Sequence, residues 1–89
     1  MRIKKGFVLR QVCGENVIIG EGLDAINFGK MLALNETAAW LWNKAKEMGD
    51  FSVEELSERL CEEYEVEADI AQRDVAGIIA EWQSVDIIE

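Results

Sequence analysis

Leu32-Ala33-Leu34-Asn35-Glu36-Thr37-Ala38-Ala39-Trp40-Leu41-Trp42 joins a strand pattern to a helix pattern through a single asparagine. Asn35 is a strong N-cap, because its side-chain oxygen can accept from the free backbone N–H groups of a helix's first turn. Glu36 adds a negative charge beside the positive end of that helix. A short strand therefore runs straight into an amphipathic helix, and side-chain chemistry sets the boundary.

Downstream, Ala38, Leu41, Trp42, Ala45 and Met48 form an apolar stripe at helical spacing, which predicts a helix from Glu36 to Met48. Gly49 and Asp50 end it. Ser52 followed by Glu55 is a capping box opening a second helix, with Val53, Leu56, Leu60 and Tyr64 inward and Glu54, Glu58, Glu62 and Glu63 outward. Asp69 with Gln72 repeats the device for a third helix, whose Ala71, Val75, Ile78, Ile79 and Trp82 make a broad apolar stripe as far as Gln83. Val85 to Ile88 is a short apolar tail.

Upstream, Phe7 to Cys13 alternates as a strand, with Phe7, Leu9 and Cys13 on one face and Val8, Arg10 and Val12 on the other. Gly14-Glu15 offers a two-residue turn, with Gly14 supplying the positive φ of a type II′ turn, and Asn16 to Gly20 returns as the second strand. Gly20 to Gly29 reads as a loop and Lys30 to Leu34 as the third strand. Three antiparallel strands followed by three helices make an α+β domain, and the segment from 52 to 83 is helix-turn-helix-like. With no proline, repeat or low-complexity tract, residues 1–89 read as one domain.

At 89 residues the chain buries only about 60–65% of its unfolded surface, so a deep, closed catalytic cavity is hard to build. Eighteen Asp and Glu against nine Lys and Arg give a net charge of −9, a field that repels nucleic-acid phosphates and anionic lipid headgroups. Cys13 and Cys61 lie far apart in a chain without histidine, which indicates neither zinc site nor disulfide; both read as small apolar core residues. The basic start, Met1 to Gly6, precedes no long apolar run, and no stretch approaches the roughly 20 apolar residues of a membrane span. A cytoplasmic domain is the expectation.

Catalysis needs a nucleophile beside a base, paired carboxylates in a dry cleft, or a bound metal or cofactor. None assembles here: the acids fall on outward helix faces, and the glycines form neither dinucleotide nor P-loop spacing. The reading is a non-enzyme with no cofactor and no metal.

Leu34, Asn35, Glu36, Thr37, Ala38, Ala39, Leu41 and Trp42 together resemble the strand-to-helix junction of the PqqD-like family. Phe51 to Val66 followed by Asp74 to Trp82 resembles that family's second and third helices, so the likeness covers roughly residues 6 to 89. It implies a small winged-helix-like fold and a non-catalytic role: binding the leader of a ribosomally made precursor peptide and presenting it to a modifying enzyme, commonly a radical S-adenosylmethionine protein. The products of such systems include pyrroloquinoline quinone and other modified peptides. The leader would add as a strand to the sheet edge. Carried onto this chain, the groove would be floored by Lys30, Met31, Leu32, Ala33 and Leu34 and walled by Val75, Ile78, Ile79 and Trp82. Asp74 and Glu81 would edge it, steering a peptide that bears Lys or Arg.

Alternation puts Leu32 and Leu34 opposite Met31 and Ala33, so only one set faces the groove; the other packs as core. Ile78 and Ile79 likewise point apart. Trp40, off the main stripe, is either a packed flank or a partly exposed aromatic. Ordering six peptide residues costs about 6–12 kcal/mol. Four net backbone hydrogen bonds return about 2–6 kcal/mol. Three buried anchors add about 5–9 kcal/mol. Side-chain pockets, not the edge alone, would therefore decide affinity.

Two other functions fit the outline. A winged-helix DNA-binding regulator needs a basic recognition helix, yet residues 69–83 hold Arg73 against Asp69, Asp74 and Glu81. A structural subunit would brace an enzyme through the Trp40 face. An open third strand also permits pairing with a second copy to form a homodimer.

Overall fold

The computed structural model describes residues 1–21 and 32–89. Strands β1 (Phe7–Val12), β2 (Glu15–Gly20) and β3 (Leu32–Leu34) form an antiparallel sheet in the order β1-β2-β3. Helices α1 (Glu36–Met48), α2 (Val53–Glu63) and α3 (Ala68–Ser84) follow, as the α+β reading expects. The expected beginning of the third strand, Lys30 and Met31, lies outside the described residues.

The junction forms through the cap. Ala38 N donates to Asn35 Oδ1 at 2.8 Å, and Asn35 itself is extended at φ −74°. Gly49 closes α1 at φ 77°, its N–H donating to the Ala45 carbonyl at 3.0 Å. Ser52 caps α2, its Oγ accepting from Glu55 N and donating to Glu55 Oε1, both at 3.1 Å. Phe51 and Leu56 are both buried at the two positions of a hydrophobic staple, which fixes the chain's entry into α2.

The structure departs from the sequence reading at the hairpin tip, at the start of α3 and at Tyr64. The turn sits one residue earlier: Val12 pairs with Glu15, and Cys13-Gly14 form the loop with φ of 54° and 81°. Positive φ at both residues is type I′, the turn whose twist matches the strands, rather than II′. Cys13 is consequently exposed at the tip instead of packed in the core, whereas Cys61 is partly buried against it. Helix α3 has no Asp69–Gln72 capping box; it begins at Ala68 after Glu67, without a side-chain cap, and Asp69 lies inside the first turn. Tyr64, expected inward, is exposed and stacks edge-on against Trp40 at 5.7 Å, while Lys44 lies 5.4 Å from the Trp40 ring centre.

Cys13 carries a side chain at a left-handed position that costs a non-glycine residue about 1–2 kcal/mol, a cost asparagine partly avoids. Cys13→Asn should therefore raise stability by about 0.5–1 kcal/mol in urea denaturation, with an unchanged m value. A variant no more stable than the parent would contradict the turn assignment.

The core lies between the inward sheet face and the three helices. Trp42 and Trp82, both essentially inaccessible, meet edge to face with ring centres 5.3 Å apart and planes at 85°. The apolar tail returns to the start of the chain. Ile87 and Ile88 are buried, Ile3 pairs with Ile88, and Arg2 and Glu89 exchange backbone hydrogen bonds of 2.8 Å in both directions.

Candidate functional site

Hydrogen-bond parity in the hairpin determines which amides of β3 face outward. In a two-residue hairpin the residues flanking the loop exchange both backbone bonds, and such pairs recur at every second position. Val12 and Glu15 are that first pair, and the Glu21 N–H bond to the Gly6 carbonyl keeps the same phase at the far end. Glu15, Val17 and Ile19 therefore direct their amides at β1, while Asn16 and Ile18 direct theirs at β3. Their partners there are Leu34 and Leu32. The N–H and C=O of Ala33 then point away from β2, and no described backbone group bonds them. Ala33 thus presents a donor and an acceptor at a sheet edge that no other described strand covers.

Just past the end of β3, at Asn35, begins a groove of about 400 Å³, bounded by Asn35 and Thr37 and by Arg73, Asp74, Ile78 and Glu81 on α3. A second hollow of about 480 Å³ at the hairpin tip shares Asn35 with it and includes Ala33. The helical period explains the lining. Val75, Ile79 and Trp82 lie on the core face, whereas Asp74, Gly77 and Glu81 lie together on the face toward the groove. Ile78 sits on the flank between them, half-buried.

Leu34 is buried and Leu32 packs partly against the core, so both side chains face the helices, and Ala33 is exposed. On α3, Ile78, Asp74 and Glu81 line the groove. Val75 and Trp82 are 0% exposed and Ile79 3%; they back the groove from within the core and form none of its surface. Lys30 and Met31 lie outside the described residues. Unanticipated lining comes from Asn35, Thr37, Arg73 and Gly77. Gly77 carried a readable signal, since glycine inside a helix costs about 0.5–1 kcal/mol relative to alanine and so stands out on α3. A Cβ built there meets nothing within 4 Å, so any side chain would project into the groove.

Among the described residues, no cluster of His, Cys, Asp or Glu is arranged to hold a metal ion, and no helix is long and apolar enough to cross a membrane. Arg73 is the sole cation on α3.

The family model for coenzyme PQQ synthesis protein D (PqqD) matches residues 15–88, which spans β2, β3, the junction and all three helices. The chain belongs to the PqqD family. Solved structures with the same fold include "TbiB1 in complex with the TbiA(beta) leader peptide", at 20% identity and a TM-score of 0.79, covering 100% of this chain and 95% of that one. A second is "Lasso peptide synthetase B1 complexed with the leader peptide", at 23% identity and a TM-score of 0.76, covering 99% and 95%. These likenesses show that the fold is shared along the whole chain. A search of curated proteins finds no match.

Proposed function

We propose that this PqqD-family chain is a non-catalytic recognition module that captures the leader of a ribosomally made precursor peptide by strand addition at Ala33 and presents it to a separate modifying enzyme. The observation that carries the reading is an outward-facing amide at Ala33, two residues before the Asn35 that begins a groove edged by Ile78 on α3. Two proteins of the same fold, at nearly full coverage, are named as complexes with leader peptides. An extended peptide bonded to Ala33 sends alternate side chains toward α3, where Ile78 offers apolar contact and Asp74 and Glu81 offer charge. The modifying enzyme follows from the family, in which a radical S-adenosylmethionine protein is the expected partner.

The test begins with the coding sequences beside this one: a short precursor frame next to a maturase supplies the leader to synthesise. Isothermal titration of that leader should give a one-to-one complex. Ile78→Asp removes an apolar contact worth about 1.5–3 kcal/mol, so affinity should fall about 10- to 100-fold while the circular dichroism spectrum stays unchanged. Undiminished affinity in the folded variant would remove Ile78 from the site.

A further inference from the structure

Where the N-terminal segment meets the end of α1, a hollow of about 490 Å³ opens. Arg2, Lys4, Lys5 and Lys46 line it, four of the chain's nine cations, and Glu89 is the one acid among its lining residues. The rest of the sequence holds five cations and seventeen acids. Lys4 is tied to Asp86 at 2.6 Å, but Arg2, Lys5 and Lys46 have no ion-pair partner among the described residues. Asp50, beside the lining residue Gly49, is already engaged. The terminal ammonium 3.0 Å away holds its carboxyl below the usual range, chiefly by hydrogen bonding and then by its charge, with Arg2 adding to the effect. The floor is apolar, made by the half-buried Ile3 and Val8 over the buried Ala45.

We infer that this hollow docks an acidic segment of a partner protein, with carboxylates paired to Arg2, Lys5 and Lys46 and one apolar side chain on the floor. Net charge does not forbid this, because charges are screened over about 8 Å at physiological salt and the local field is positive. It sharpens specificity instead, since an acidic chain is repelled over the rest of the surface and has one place to land. Inorganic phosphate or a nucleic-acid backbone would match the cations but leave the floor wet. The hollow is separate from the groove: Thr37 and Lys46 stand about 14 Å apart along α1, so both sites can be filled together. The inference stands independently of leader recognition.

The test titrates the ¹⁵N-labelled full chain to millimolar concentration with a capped Asp-Glu-Leu-Glu-Asp peptide and follows backbone amide shifts. Saturable shifts at Lys5, Val8, Lys46 and Gly49 are expected, weakening about tenfold between low and high salt. They should vanish in the double variant Lys5→Glu with Lys46→Glu, whose spectrum otherwise matches the parent. The same titration uses the Asn-Gln-Leu-Gln-Asn analogue and inorganic phosphate as controls. Absence of shifts at these amides would overturn the inference, as would equal shifts from phosphate, which would make the hollow a simple anion site.

Discussion

Ala33→Pro should weaken leader binding by one to three orders of magnitude while leaving the domain folded. Proline removes the outward N–H, which forfeits a hydrogen bond worth about 0.5–1.5 kcal/mol and strands the peptide's carbonyl at a further cost of about 1–3 kcal/mol. Together these correspond to about 10- to 1000-fold in affinity. The domain tolerates the change because that amide takes no part in the β2–β3 ladder, and proline is admissible on an edge strand. Leu32→Pro is the instructive contrast, since the Leu32 amide faces Ile18 and its loss opens the sheet itself. Ala33→Val retains the donor and should bind nearly as the parent does. Calorimetric titration of the three variants, each checked by thermal melting, decides the matter. A folded Ala33→Pro variant with parental affinity would dismiss strand addition.

Trp82→Ala should cost about 3–5 kcal/mol of folding stability, the ordinary range for emptying an aromatic site in a packed core. Trp82 is 0% exposed and lies edge-on to Trp42, so its removal hollows the contact that joins α3 to α1. Small domains have about 5–15 kcal/mol in total, and the variant should therefore be largely unfolded at moderate urea where the parent is native. Trp82→Phe keeps part of the ring and most of the volume, so its loss should be smaller and its leader affinity unchanged. Urea denaturation followed by circular dichroism measures both. A cost below 1 kcal/mol for Trp82→Ala would contradict its place at the centre of the core.

Local chemistry made much of this fold legible. Asn35 and Ser52 announce their helices because a cap acts within three residues, and the stripes of α1 and α2 are periodic enough to separate inside from outside. The turn was harder to read. Gly14 marked a positive φ, but a type I′ loop needs two, and nothing about Cys13 advertises that conformation. At the groove the difficulty is general. Apolar periodicity on α3 finds the residues with most to gain from burial, and in a domain this small Val75, Ile79 and Trp82 all go into the core. The surface beside them belongs to Ile78, the stripe residue left on the flank, and to Asp74, Gly77 and Glu81 outside the stripe. Pairing of Ile3 with Ile88 was equally hidden, since no local rule links segments so distant in sequence.

The mutual backbone bonds of Arg2 and Glu89 set the two ends of the described chain side by side. A polypeptide entering the domain at one of these residues leaves it within a single strand spacing, about 5 Å away. Such a unit can be spliced into a surface loop of a larger enzyme with scarcely any gap to bridge, and new ends can be cut elsewhere once the old ones are joined.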